Sequence, residues 1–226
     1  LSSSALSRLQ QRGKDELAAF WEKGSRRDAG QVLANGGVPA LAALWQGLFP
    51  GSVPSAAYFG ALAASTADTW ATEVGVLQNS PPRLITTWQR VPRGTSGGVT
   101  PVGSLASIAG ALFMAGVAGV VAGTFRRRRL SPGRPLGLCC YWATLAGGIA
   151  GSVTDSLLGA TIQAVYHCPH CQCPTEQRVH RCGAVTELQR GFSCITNDAV
   201  NLLASAVGAA TAALWTVGPT CRRGRA

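Results

Sequence analysis

Four long stretches of this chain are nearly free of charge, and that limits its fold more than any other feature. Residues 94–125 and 199–221 contain no Lys, Arg, Asp or Glu; residues 135–175 contain only Asp155, and residues 30–78 only Asp68 and Glu73. A helix on the surface of a water-soluble domain needs a polar face along its length, and these stretches cannot supply one. Charged residues make up 13% of the chain, where soluble domains have about 25%, and the mean hydropathy is +0.18. So much apolar side chain also excludes a disordered chain. The sequence predicts an all-α, multi-span helical membrane protein.

The apolar runs are long and lack the two-residue alternation of barrel strands. About five transmembrane helices are expected, near residues 32–49, 53–77, 99–125, 136–166 and 199–217. The fourth exceeds the ~20 residues that a bilayer needs, so it tilts or extends beyond the lipid. The transmembrane helical domain is thus 32–217, with a Cys/His-rich loop at 167–196. A polar membrane-proximal segment, 1–31, precedes it, and a basic tail, 218–226, follows. Gly119 and Gly123, like Gly147 and Gly151, stand four apart, a spacing that lets helix backbones approach closely in lipid. The first residue is Leu1, not Met, so the chain is expected to lack its start.

The net charge of +10 invites a nucleic-acid reading. The arginines, however, cluster at the ends of apolar runs, as in the cytoplasmic loops of membrane proteins, and not in a stripe that follows a groove. The expected partner is the lipid bilayer, not nucleic acid. With five spans, the N-terminal segment and the 78–98 and 167–196 loops share one side and hold twelve Lys+Arg, against eight on the other side. That bias places the two long loops in the cytosol.

An ionisable side chain inside a span costs about 2.5–3.5 kcal/mol on insertion, which makes it a functional candidate. Ser65, Asp68, Thr69 and Thr72 share one helical face, with Glu73 at its edge. Ser152, Asp155, Ser156, Gly159 and Gln163 repeat the arrangement, and the last span opens with Asn197-Asp198 and continues to Asn201 and Ser205. For the hydroxyls, hydrogen bonding between helices is the preferred role. For Asp68 and Asp155 it is not, because no Lys or Arg lies within those spans to pair with them. Carboxylates from three helices among oxygen donors suit a hard cation such as Mg²⁺, with Asp68, Asp155 and Asp198 as candidate ligands.

Two loops carry further chemistry. Between the second and third spans, Arg83, Arg93, Thr95, Ser96, Gly97 and Gly98 combine charge, hydroxyls and a flexible backbone, which suits a phosphate. The Gly-Lys-Ser/Thr ending of a P-loop is absent. In the second loop stand Cys168, Cys171, Cys173, His180, Cys182 and Cys194. Without a second CxxC, a thiol-rich loop holding no metal is preferred, and Zn²⁺ on Cys168, Cys171, Cys173 and Cys182 is the alternative. In the cytosol such thiols stay reduced.

Residues 60–110, with STADTWATEVG, PRLITT, VPRGTSGGVT and GSLASIAG, closely resemble the transmembrane protein 19 family. Residues 25–39, 147–163 and 196–205 add SRRDAGQVLANGGVP, GGIAGSVTDSLLGATIQ and TNDAVNLLAS, while 167–195 has no counterpart in the match. A plant relative in that family is a phytyl-phosphate kinase, which turns an isoprenoid monophosphate into a diphosphate. The architecture also looks like membrane cytidylyltransferases and polyprenol kinases, in which acidic residues hold a divalent metal and a nucleotide binds at the cytosolic face.

The resemblance implies metal-dependent phosphoryl or nucleotidyl transfer from CTP or ATP to an isoprenoid or lipid phosphate, in an endomembrane. Asp68, Glu73 and Asp155 would be catalytic, Asp68 and Asp155 would hold Mg²⁺ with Glu73 or Asp198 assisting, and Arg83, Arg93 and Thr95 would hold phosphate beside Gly97 and Gly98. Two alternatives stand beside it. The Asp68 and Asp155 segments look like a weak internal repeat, a mark of transporters. A structural membrane protein without catalysis is the other.

Overall fold

The computed structural model describes residues 29–78, 80–127, 136–218 and 221. Most of the expected membrane-proximal segment and of the basic tail lies outside the described residues, as do Arg128 and Arg129 of the arginine run. Five helices follow one another among the described residues: α1 (Ala29–Leu48), α2 (Ser52–Gly75), α3 (Pro101–Arg127), α4 (Leu136–Thr161) and α5 (Asn197–Val217). They fall where the charge-poor stretches predict helices. Two segments, Pro101–Thr124 and Asn197–Val217, are long and apolar enough to cross a membrane.

Local chemistry sets the ends. Thr100 caps α3, its hydroxyl accepting from the Gly103 amide at 3.0 Å. Pro101 then opens the helix, where the missing N–H costs no hydrogen bond. Thr196 caps α5 in the same way, accepting from the Ala199 amide. α1 and α2 are separated only by the turn at Pro50-Gly51.

The interior is built of the smallest residues. Ala56, Ala61, Ala63, Ala67, Ala111, Ala115, Ala143 and Ala212 are fully buried. The large apolar side chains point the other way: Leu33, Leu41, Leu44, Leu105, Val120, Leu138 and Leu214 are exposed. A water-soluble protein reverses this order. In lipid the outside is as apolar as leucine, and helices associate by close backbone contact.

α2 and α4 touch along their length, with α3 packed against both on one flank and α5 against both on the other. α1 lies against α2 and α5. Three glycines bring backbones together: a Cβ on Gly60 would lie 2.5 Å from the Gly208 carbonyl oxygen, and one on Gly147 2.6 Å from the same atom. Gly151 and Gly147 thus pack as their spacing predicts. Gly123 does not: among the described residues, a Cβ there would meet no other element within 4 Å.

Two departures from the all-α expectation lie in the loops. Arg83–Leu84 (β1) pairs antiparallel with Gly98–Val99 (β2). Val165–Cys168 (β3) is the central strand between Cys173–Thr175 (β4) and Glu187–Arg190 (β5). The predicted fourth span therefore stops at Thr161, and Val165 and Tyr166 belong to a strand. Apolar periodicity alone does not separate a buried strand of four residues from the end of a helix.

A disulfide joins Cys139, in the first turn of α4, to Cys221 beyond α5, with a Cα–Cα distance of 5.9 Å. It sits at the opposite end of the bundle from both long loops.

Candidate functional site: a carboxylate-lined cavity under the loops

Asp68 and Asp155 come from helices joined by a 60-residue stretch of chain that holds all of α3, yet their carboxyl groups lie within hydrogen-bonding reach of each other. Oδ1 of Asp155 is buried and receives no hydrogen bond from a donor. Below this pair the helices are held by small residues: a Cβ on Gly151 would lie 2.2 Å from the Ala64 Cβ. Only that closeness lets side chains as short as aspartate meet.

The pair faces a cavity of about 800 Å³ that opens at the loop end of the bundle. That volume suits a ligand the size of a nucleotide or a lipid headgroup. All five helices contribute polar groups: Gln31 and Asn35 from α1, Asp68, Thr69, Thr72 and Glu73 from α2, Ser104 and Ser107 from α3, Ser152, Asp155 and Ser156 from α4, and Asn197 and Asn201 from α5. Many of the hydroxyls are committed to the scaffold. Thr69 donates to the Ser65 carbonyl at 2.7 Å, and Ser107 to Ser152 Oγ at 2.8 Å.

The 93–98 segment forms one wall of the mouth. Arg93 lines the cavity and is anchored by a bond from Nη2 to the Val76 carbonyl. Thr95 lines it too, with its hydroxyl donating to the Pro92 carbonyl at 2.8 Å. Gly97 has φ +80°, and a Cβ there would lie 2.4 Å from the Ala160 amide nitrogen, so only glycine fits. Gly98 lines the wall beside it.

Two sequence candidates are not brought to the cavity. Arg83 is exposed on the hairpin and donates to the Trp88 carbonyl at 2.8 Å. Asp198 is absent from the cavity wall, where Asn197 and Asn201 stand instead. One residue along a helix is a rotation of about 100°, so the expected ligand belongs to the neighbouring face.

The second long loop supplies groups that the sequence did not single out. Glu176 and Arg181 line the cavity mouth. Glu176 accepts from Ser96 Oγ and, at 2.7 Å, from Gln163 Nε2. Arg190 reaches from β5 to the Gly159 carbonyl at 2.8 Å. Burial holds its guanidinium below the ordinary value, with Glu176 acting against that trend. No periodicity marks these residues; the fold of the loop places them.

Beside the mouth, Cys168, Cys171, His180 and Cys182 bring one ligand atom each within 4.8 Å of one another, a group that can hold a metal. Cys173, expected among the ligands, is replaced there by His180. Its contacts with the Cys182 and Cys168 sulfurs push the Cys171 thiol up to about 12.

A model of the integral membrane protein family DUF92 matches residues 1–209. Protein PGR of Arabidopsis thaliana is 30% identical over 217 residues, which cover 90% of this chain and 74% of that protein. An uncharacterized membrane protein of Methanocaldococcus jannaschii is 39% identical over 137 residues, 61% of this chain and 52% of the relative. One from Synechocystis is 32% identical over 167 residues, 71% and 58%. The chain therefore spans between about half and three quarters of the length of these relatives. No solved structure is significantly similar to it.

Proposed function

The chain belongs to the DUF92 family of integral membrane proteins, and on that premise we propose that it is a multi-pass membrane enzyme transferring a phosphoryl or nucleotidyl group to an isoprenoid or lipid phosphate. In this reading all five helices cross the bilayer. The observation that carries it is the meeting of Asp68 and Asp155 in a cavity that also holds Glu73, Glu176, Arg93 and Arg181.

The donor set fits Mg²⁺. Oxygen ligands surround the two acids, and Asp155 keeps one buried oxygen without a hydrogen bond. Two carboxylates in contact repel unless a proton or a cation stands between them. Asp68 and Asp155 would hold Mg²⁺, which would supply neutralisation of the charge that develops on the phosphates. Glu73 stands about one turn nearer the mouth and would assist them. Arg93 and Arg181 draw the anionic substrate in, and the 94–98 backbone gives it close amides. An oxygen of the lipid phosphate bonds to phosphorus of the nucleotide while the bond to the leaving group breaks, a nucleoside diphosphate in phosphoryl transfer or pyrophosphate in nucleotidyl transfer. The resemblance to the transmembrane protein 19 family and its phytyl-phosphate kinase supports CTP or ATP as donor and an endomembrane as location.

Depth favours transfer over transport. Asp68 stands seven residues before the end of the 24-residue α2, about 10 Å below its loop end at 1.5 Å per residue. Asp155 stands six residues before the end of α4, at a similar depth. Both lie on the loop side of the middle of their helices, whereas transport sites sit near the bilayer midplane.

The test is purified protein with labelled CTP or ATP, isoprenyl monophosphates and Mg²⁺. Labelled diphosphate or nucleotidyl product that disappears in Asp68→Asn supports the reading. No product with any nucleotide, together with an Asp68→Asn chain that behaves as the original in cells, overturns it.

A further inference from the structure

We infer that Cys168, Cys171, His180 and Cys182 form a structural Zn²⁺ site that locks the 162–196 loop as a cap over the cavity mouth. The site stands whether or not the cavity transfers phosphate.

The geometry is that of a tetrahedral thiolate centre. A Zn–S distance of about 2.3 Å puts two thiolates roughly 3.8 Å apart on a tetrahedron. Cys168 Sγ and Cys182 Sγ stand 3.6 Å apart, and His180 Nδ1 is 3.2 Å from Cys182 Sγ. All four ligand atoms lie within 4.8 Å of one another. Three soft sulfurs and an imidazole select zinc over the hard cations suited to the cavity.

Two matching turns present the ligands. In the first, the Gln172 amide donates to the Cys168 carbonyl at 2.9 Å, and the Cys171 amide points at Cys168 Sγ at 3.4 Å. In the second, the Gly183 amide donates to the His180 carbonyl at 2.8 Å. Each turn is closed by a residue with positive φ just after its second ligand, Gln172 at 51° after Cys171 and Gly183 at 84° after Cys182. Amides directed at a sulfur stabilise its thiolate form.

Cys173 gains a different role from the one its spacing implies. It lies 3.8 Å from His180 Nε2, the ring nitrogen turned away from the other ligands. Metal-bound histidines commonly donate that second N–H to a neighbouring group that fixes the ring, and here the Cys173 sulfur receives it.

The cap is tied to the bundle by contacts that depend on the loop's shape. Glu176 follows Cys173 by three residues and bonds to Ser96 and Gln163. Arg181 stands between two ligands, His180 and Cys182, and lines the cavity mouth. Beyond β3 the large apolar residues Val179, Val185, Leu188 and Phe192 of this segment are exposed, so a metal cross-link is a natural source of its order.

The test is metal content of the full chain, grown with zinc and purified under reducing conditions without a metal-affinity tag. The expected result is close to one Zn per chain, falling more than tenfold in Cys168→Ser and Cys182→Ser. His180→Cys, which keeps a four-ligand set, retains the metal, as do Cys173→Ser and Cys194→Ser. Chelation raises amide exchange across Val165–Arg190 and leaves that of α2 and α4 unchanged. A chain that arrives without zinc and takes up no Co²⁺ with thiolate charge-transfer bands overturns the inference. A Cys168–Cys182 disulfide, or zinc that survives Cys168→Ser, overturns it as well.

Discussion

Gly151 of α4 lies against Ala64 of α2, and four residues further along each helix stand the paired acids, Asp155 and Asp68. The same step back joins Gly147 to Gly60. The two helices thus run parallel in a fixed register, and the acid pair is one more rung of that ladder. A methyl at Gly151 has no room: its Cβ would be 2.2 Å from that of Ala64 and 2.9 Å from the Ala204 carbonyl oxygen. Gly151→Ala is expected to destabilise the bundle by about 1–3 kcal/mol and to part the acids. Thermal unfolding in detergent measures the first effect and transferase activity the second. Gly116→Ala, with nothing within 4 Å, should alter neither.

Asp155→Asn preserves shape and keeps one hydrogen-bonding partner for Asp68. It removes a negative charge from the cavity. The chain should therefore fold normally, with activity reduced by about 100-fold or more. An Asp155→Asn chain of unchanged activity would leave the acid pair with a purely structural role. Turnover with saturating nucleotide, set beside the melting temperature, separates the two.

Gly97→Ala should act on substrate binding. The left-handed backbone at φ +80° costs a residue with a side chain about 1–2 kcal/mol, and the Ala160 amide blocks the Cβ. The loop must move, taking Thr95 and Gly98 with it. The expected result is a KM for nucleotide raised about tenfold, the equivalent of 1.4 kcal/mol, with helix content by circular dichroism unchanged.

Orientation is open to a thiol test. Cys194 is exposed in the second long loop, and Cys139 is bonded to Cys221 at the other end of the bundle. With the loops in the cytosol, a membrane-impermeant maleimide added to sealed vesicles of cytosolic face outward should modify Cys194 at once. Cys139 and Cys221 should react only after permeabilisation and reduction. Mass spectrometry of the labelled peptides reads both. The reverse pattern would turn the chain over in the membrane.

The helices were legible because lipid makes one demand of a sequence, the absence of charge, and that absence spans whole elements. Asp68 and Asp155 were legible for the same reason: a charge stands out where charge is costly. The direction of Asp198 is not legible because helix ends are polar on every face, so the sequence there does not mark which residues line the cavity. Asn197 and Asn201, four apart, do. The direction of Arg83 is not legible because a two-residue hairpin strand sets it, not its place beside other arginines. Glu176 and Arg181 were not legible at all. Their place depends on β3, β4 and β5 pairing out of sequence order, and nothing local encodes that. His180 was noted beside the thiols, but spacing could not rank it above Cys173.

Alanine and glycine have no rotamers to freeze, so assembling this interior orders little beyond the backbone. The same simplicity removes any slack. A core of leucines accepts a new methyl group by turning side chains aside, whereas one of methyls and bare backbone responds only by moving whole helices. In such a protein, adaptation to a different substrate has to take place in the loops and on the polar wall, while the helix interfaces stay as they are.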